Sequence, residues 1–435
     1  VAKDRFLGYQ CSLCSAQYSP QEVTYTCPKD GGNLDVVLDI EGLKGKSLFE
    51  WIDNEEPSLW RYLPLLPLQG SVGEGTPLRA VGWTPVYQAK RLADGLNLKA
   101  LWIKDESRNP SASFKDRASS VVVARAREIG AEVVVTASTG NAGAALACMA
   151  AALGQKAVIF APKTAPPAKI AQLLIFGAKV LLVDGNYDQA FDLSVEASKA
   201  FGWYCRNTGY NPFTAEGKKT AALEIAEWWL KLRKQAEFGK LGVNPRKPLS
   251  VFVSVGDGNI ISGLHKGFKD LAAIGVLPGE NVDTSHAPLG VRIFGVQSEG
   301  SAAVANAYFA NTEKIVPVSA NTLADSISVD LPRDGVRAVR AARQSGGAYV
   351  LVSDQQILEA IAELGKIGIF AEPAGATAYA GLKKAIQSGL VEEDDPVLVL
   401  NTGSGLKDVK AAMQAVPQAP IIEPTVDAVK NHLPF

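Results

Sequence analysis

Uninterrupted apolar runs alternating with helix-patterned segments predict an α/β protein built on parallel sheets covered on both faces. Three observations carry this expectation. Val133-Val134-Val135, Ala157-Val158-Ile159-Phe160 and Val180-Leu181-Leu182-Val183 show no polar alternation, so both of their faces are expected to be buried. Helical patterns, such as Ala168 to Phe176 and Tyr187 to Phe201, fall between and after them. The length of 435 residues exceeds what one hydrophobic core spans, so two or three domains are expected.

Residues 1 to about 70 differ from the rest: cysteines and turns, then a Trp- and Pro-rich segment. Cys11-Ser12-Leu13-Cys14 and Cys27-Pro28-Lys29-Asp30-Gly31-Gly32 resemble a pair of zinc-ribbon knuckles, with Asp30 where a fourth cysteine would sit. Metal binding by Cys11, Cys14 and Cys27 stays open at this point. The alternative is a relic ribbon held by turns and a small apolar core. From about Leu98 the strand and helix alternation begins. Leu101-Trp102-Ile103 reads as a strand and Ala118 to Ile129 as a helix. Later strands are expected at Ser250 to Val255, Arg292 to Val296 and Val397 to Leu400. The echo of Gly75-Thr76-Pro77-Leu78 in Trp83-Thr84-Pro85-Val86 reads as a doubled turn, not a repeat architecture. The stretch from Pro417 to Phe435 carries four prolines and reads as a loosely packed extension.

Composition excludes several classes. Net charge is −1 and no basic stripe carries interleaved aromatics, which argues against nucleic acid. Val133 to Gln155 is uncharged and long enough to span a membrane, but Thr136, Ser138, Thr139, Gly140 and Asn141 interrupt it. It reads as strand, polar turn and Ala-rich helix. The first residues lack the pattern of a signal peptide. Five cysteines make an odd, sparse count, so a reducing, cytoplasmic setting is expected rather than a disulfide scaffold. His265, His286 and His432 lie in no motif, which argues against histidine-based metal hydrolysis and a Ser-His-Asp mechanism.

Four segments carry chemistry. Asn109-Pro110-Ser111-Ala112-Ser113-Phe114-Lys115-Asp116-Arg117 places one lysine in a small-residue loop before a helix. Taken alone, Lys115 reads as a surface lysine in a charged trio with Asp116 and Arg117. Ser138-Thr139-Gly140-Asn141-Ala142-Gly143 offers hydroxyls and free helix N–H groups to an anion. Val255-Gly256-Asp257-Gly258-Asn259 follows a strand, and its alternate glycines let the backbone wrap a phosphate. Asp257 is tolerable there only if its carboxylate turns away. It is neither a Walker loop nor a dinucleotide fingerprint. Asn401-Thr402-Gly403-Ser404-Gly405 puts a hydroxyl after a late strand, where it suits a pyridine nitrogen. A lysine, an asparagine loop and a glycine-rich anion loop, in that order, are what a pyridoxal phosphate enzyme requires.

The ordered set resembles the pyridoxal phosphate enzymes of the tryptophan synthase β-like group, called fold type II, and within it the threonine synthase family. The matching residues include Gly73-Glu74-Gly75-Thr76-Pro77-Leu78, Ser113-Phe114-Lys115-Asp116-Arg117, Glu372-Pro373-Ala374-Gly375-Ala376 and Thr402-Gly403-Ser404-Gly405-Leu406-Lys407-Asp408. The resemblance runs from about residue 5 to about 415. It implies two three-layer parallel-sheet domains: a large cofactor-binding one from 71–125 and 215–415, and a small one from 126–214. A ribbon-like segment (1–70) precedes them and an extension (416–435) follows.

The resemblance also implies roles. Lys115 would be the Schiff-base lysine and acid/base, and Asn141 would meet the cofactor's phenolic oxygen. Val255, Gly256, Asp257, Gly258 and Asn259 would hold the cofactor phosphate, and Thr402 would face the ring nitrogen. Ser138 and Thr139 would take a substrate carboxylate. Arg206 is the candidate for a second, substrate phosphate; its plain alternative is a surface arginine. The implied activity converts O-phospho-L-homoserine and water to threonine and phosphate, in a homodimer. Cysteate synthase on O-phosphoserine and serine/threonine dehydratase are the neighbouring activities. The family's lysine loop more often has threonine, glycine and glycine where this chain has Ser111, Ala112 and Ala118.

Overall fold

The structure, a computed structural model, describes residues 5–235, 238–277 and 287–432. His286 and the last three residues of the expected extension lie outside these. The N-terminal segment forms three antiparallel strands, β1 (Phe6–Cys11), β2 (Gln17–Tyr18) and β3 (Leu34–Leu38), in the order β2-β1-β3. Next come an edge strand β4 (Val86–Gln88), strand β5 (Leu101–Asp105) and helix α1 (Lys115–Glu128).

A four-stranded sheet follows. It contains β6 (Val133–Ala137), β7 (Lys156–Pro162), β8 (Lys179–Val183) and the two-residue β9 (Tyr204–Cys205). The order is β8-β7-β6-β9, and every pair is parallel. Helices α2 (Asn141–Ala152), α3 (Pro167–Ile175) and α4 (Tyr187–Phe201) connect these strands. The helix α5 (Phe213–Arg233) leads back to the larger sheet.

That sheet adds β10 (Leu249–Ser254), β11 (Val291–Ser298), β12 (Tyr349–Val352) and β13 (Val397–Asn401). Its order is β12-β11-β10-β13-β5-β4, with β4 alone antiparallel. Helices α6 (Asn259–Ile274), α7 (Gly335–Gln344) and α8 (Pro373–Gln387) belong to this half of the chain. β10 and β13 are buried at every residue, as continuous apolar runs predict for a doubly covered sheet. Burial of Val251, Phe252 and Val253 contributes about 1.5–3 kcal/mol each.

Helix α5 packs between α1 and α6 with almost no gap. A Cβ at Gly217 would meet the Arg117 carbonyl at 2.2 Å, and one at Gly263 would meet Lys218 Cβ at 2.7 Å. These two glycines set how close the three helices lie. Glu216, Lys218, Lys219 and Glu224 are consequently buried in mid-helix. The C-terminal stretch behaves as its prolines predict: the helix from Val426 to His432 buries nothing.

Candidate active site

The site assembles at the carboxyl ends of parallel strands, the place where such sheets bind ligands. Ser138 follows β6, Val255 follows β10 and Thr402 follows β13. Lys115 opens α1, three residues before the start expected from the apolar pattern. The loop preceding it is clamped on several sides. Phe114 N–H donates to the Thr402 carbonyl at 2.9 Å, and Ser113 bridges to Gly403. Ser111 N–H donates to Asp116 at 2.6 Å, and the Ser111 hydroxyl donates to the same carboxylate. Ala112 sits at φ +63°, the left-handed region where the family favours glycine.

Asp116 and Arg117 are fully buried, so the surface-trio reading of Lys115 fails. Burial raises the Asp116 carboxyl to about 6, against the lowering effect of its Ser111 hydrogen bonds. Arg117 forks between two carboxylates. Its Nε lies 2.7 Å from Glu106 and its Nη1 2.6 Å from Glu224. Lys104 meets the same Glu224 at 2.8 Å. This buried network fixes α1 against α5, and with it the height of Lys115. Burial, reinforced by Arg206, holds the Lys115 ammonium below the usual lysine range.

Every residue given a cofactor or substrate role from the sequence lines one cavity of about 390 Å³. Lys115, Ser138, Thr139, Asn141, Arg206 and Thr402 reach it from separate segments, and Val255 to Asn259 form one wall. The glycines of that wall are required. Gly258 has φ +88°, and a Cβ there would meet the Asp334 carbonyl at 2.7 Å. A Cβ at Gly256 would meet Ile327 Cα at 2.9 Å. Asp257 turns its carboxylate to the Arg333 N–H at 3.3 Å, and its carbonyl accepts from Asp334 N–H. Its charge is thus aimed at backbone. The N–H groups of Gly256, Asp257 and Gly258 donate to no group among the described residues. Helix α6 begins directly after them without a side-chain cap.

Four cations line this cavity, Lys115, Arg206, Lys218 and Arg333, the last paired with Asp188 at 2.7 Å. Arg206 is 0% exposed, so it is no surface arginine. Its Nη1 donates to Thr208 at 2.6 Å and its Nε to Ser119 at 3.2 Å. Its Nη2 has no hydrogen-bond partner among the described residues. Burial lowers Arg206 to about 10. Lys218, on α5, was not singled out from the sequence. It is 0% exposed, and its Nζ donates to Asn259 Oδ1 at 2.5 Å. Burial first, then Lys115 and Arg206, push its ammonium well below the ordinary range. Among the described residues none of Lys115, Arg206 and Lys218 has a carboxylate within ion-pair distance, whereas Arg117, Lys104 and Lys219 do.

Two further groups complete the walls. Asn141 donates through Nδ2 to Glu372 at 2.7 Å, and burial raises that carboxyl to about 7. Glu372 belongs to the Glu-Pro-x-x-Ala motif, from which no role for it could be read. Thr402 Oγ1 lies 3.5 Å from Ser254 Oγ, so two hydroxyls share the strand ends β10 and β13. Ser254 is the last residue of an apolar run, and nothing in the sequence separates it from a strand terminus.

Residues 78–403 match the family described as pyridoxal-phosphate dependent enzyme. The chain belongs to that family. Its similarity to two proteins named threonine synthase extends over nearly the whole length. The one from Methanocaldococcus jannaschii is 35% identical, covering 98% of this chain and 98% of that protein. The one from Methanosarcina acetivorans is 34% identical, covering 97% of each. The fold is shared with solved structures at lower identity. The processed form of threonine deaminase isoform 2 from Solanum lycopersicum matches with TM-score 0.63 and 23% identity, over 83% of this chain and 89% of that one. Diaminopropionate ammonia lyase from Escherichia coli matches with TM-score 0.62 and 21% identity, over 76% and 86%.

The family cofactor fits what the cavity offers. The free N–H groups of residues 256–258 and the uncapped start of α6 form an anion cradle closed to side chains at both glycines. The Lys115 amine and the Thr402 and Ser254 hydroxyls lie in the same cavity. Among the described residues no helix is long and apolar enough to cross a membrane.

Proposed function

We propose that this chain is a threonine synthase, converting O-phospho-L-homoserine and water to L-threonine and phosphate. The observation that carries the reading is that buried Arg206 and buried Lys218 line one cavity with Lys115, and that none of the three has a carboxylate within ion-pair distance among the described residues. One anion, the cofactor phosphate, suits the backbone cradle of residues 255–259. The surplus positive charge of Arg206 and Lys218 then suits a second phosphate, the leaving group of the substrate. A dehydratase acting on serine or threonine has no use for that surplus.

Bound pyridoxal phosphate supplies an electron sink for carbanions beside the amino-bearing carbon. The rest falls to side chains. Lys115, kept below its usual range by burial and Arg206, gives and takes protons at its Nζ. Ser138, Thr139 and the uncapped N-terminus of α2 receive the substrate carboxylate. Asn141, held by Glu372, sits where the family resemblance puts a partner for the cofactor's phenolic oxygen. Arg206 Nη2 and Lys218 Nζ hold the phosphate as it departs, so the γ carbon is oriented before water adds at the β carbon. A cytoplasmic homodimer accompanies this reading; light scattering that gives a single monomeric species would remove the dimer.

The test compares O-phosphohomoserine with O-phosphoserine, threonine and serine in Arg206→Gln. Turnover of the phosphorylated four-carbon substrate should fall by about 10-fold or more, because one charge-assisted phosphate contact is lost. Equal loss on serine or threonine would assign Arg206 to packing and remove the phosphate pocket.

A further inference from the structure

We propose that the N-terminal ribbon is a structural zinc site with Cys11, Cys14, Cys27 and Asp30 as its four ligands. The sequence left metal binding open because the second knuckle lacks its cysteine. The fold decides the matter by showing that Asp30 occupies the place a cysteine would take.

The two knuckles have the same backbone. Cys11 N–H donates to the Ala16 carbonyl at 2.8 Å, and Cys27 N–H donates to the Gly32 carbonyl at 2.9 Å. Ser15 N–H donates back to the Cys11 carbonyl at 3.1 Å, and Gly31 N–H to the Cys27 carbonyl at 2.9 Å. Ser15 and Gly31 both adopt positive φ, +60° and +71°. Counting from each first cysteine, Cys14 and Asp30 fall at the same step of the same turn. A left-handed serine is costly, and the knuckle keeps it.

The donor atoms converge from two separate turns. All four lie within 4.8 Å of one another. Thiolates about 2.3 Å from a tetrahedral zinc stand about 3.8 Å apart, and a thiolate and a carboxylate oxygen about 3.5 Å apart. Cys14 Sγ lies 3.7 Å from Cys27 Sγ, and Cys11 Sγ lies 3.3 and 3.6 Å from the two Asp30 oxygens. The sulfur separation is far beyond a disulfide bond.

The surroundings suit thiolates. Leu13 N–H points at Cys11 Sγ at 3.3 Å, and the Tyr18 hydroxyl lies 3.1 Å from Cys27 Sγ. Gly32 N–H holds Asp30 Oδ1 at 2.9 Å, which orients the carboxylate as second-sphere donors do. A Cβ on Gly32 would meet Cys11 Sγ at 2.8 Å, so the turn is cut to fit the sulfur. Three thiolates with one carboxylate in a tetrahedral set select zinc over the hard cations. Binding releases the three thiol protons to solvent.

The ribbon leans on the walls of the active site. Asn33 Nδ2 donates to the carbonyls of Gly209 and Arg333, the latter at 3.1 Å. Tyr25 accepts from Cys205 N–H at 2.9 Å, beside Arg206, and stacks on Tyr210. Arg337 meets Asp35 at 2.7 Å, and Arg340 donates to the Ser12 carbonyl. The metal therefore acts as a positioning element for the segment carrying Arg206, not as a catalytic one.

The test is elemental analysis of the full-length holoenzyme, with cobalt exchange as the second readout. One zinc per chain is expected in the parent protein. Cys14→Ser, at an exposed position, should lose it while keeping the cofactor absorbance that reports a folded core. Asp30→Cys should keep one metal per chain and add a fourth thiolate to the cobalt charge-transfer band. Metal-free parent protein with three titratable ribbon thiols would overturn the proposal. So would a Cys14–Cys27 disulfide by intact mass, or zinc that survives Cys14→Ser together with Asp30→Ala.

Discussion

Replacing Lys218 by glutamine separates a ligand-binding charge from a structural one. The substitution keeps a donor for Asn259 Oδ1, which Lys218 meets at 2.5 Å, and removes only the ammonium. At an effective dielectric near 20, a unit charge about 4 Å from a phosphate charge is worth about 4 kcal/mol before desolvation. Charge-assisted hydrogen bonds leave a net of about 1.5–3 kcal/mol. The expected loss in kcat/KM for O-phosphohomoserine is thus roughly 10- to 150-fold. Stability should move the other way. Burial depresses the Lys218 pKa in the fold, so the unfolded chain binds that proton more tightly. This group therefore opposes folding at neutral pH, and its contribution to stability rises with pH. The glutamine variant should keep or raise the parent Tm while losing phosphate-substrate turnover and inhibition by inorganic phosphate. A Tm lowered by several degrees with kcat/KM unchanged would refute the reasoning and make Lys218 a packing residue.

Other consequences follow from the same geometry. Gly258→Ala forces a Cβ to 2.7 Å from the Asp334 carbonyl at φ +88°, so it should cost more than about 1 kcal/mol and weaken pyridoxal phosphate binding measured by absorbance titration. Glu372, raised by burial to about 7 from the ordinary carboxyl value of about 4.3, destabilises the fold as pH rises through that window; Glu372→Gln should flatten the pH dependence of denaturant unfolding there by roughly 3 kcal/mol. Ala112→Gly relieves about 1–2 kcal/mol of left-handed strain against about 0.5–1 kcal/mol of added chain entropy, so Tm should hold or rise slightly.

Most strands of the two larger sheets were legible as continuous apolar runs, but burial on both faces holds only for the inner ones: β8, at the edge of its sheet, leaves Leu182 57% exposed. The strands that escaped are short, among them the four-residue apolar run Tyr349–Val352. Tyr204–Cys205 is two residues long, and Val86–Gln88 is a partly exposed edge. Helix α1 starts at Lys115 rather than Ala118 because Asp116 and Arg117 are buried by their partners, Ser111 for the first and Glu106 and Glu224 for the second. Lys218 was hidden for a related reason. Glu216-Gly217-Lys218-Lys219 looks like a solvated helix face, and only the packing of α5 on α1 and α6 buries it. The signals were the glycines facing that crossing, Gly217 and Gly263, but a glycine does not name its neighbour from sequence. The lysine, asparagine and phosphate loops were readable because each follows a strand end in a fixed order. Asp30 was legible in the sequence as standing in a cysteine's place, but the convergence of its carboxylate with three sulfurs needed the fold.

The most direct measurement is product analysis from O-phospho-L-homoserine with the purified protein and pyridoxal phosphate. Threonine and phosphate should appear in equal amounts, and Lys115→Ala should abolish both. Phosphate released with 2-oxobutyrate in place of threonine, or no turnover by protein that carries its cofactor, would contradict the account.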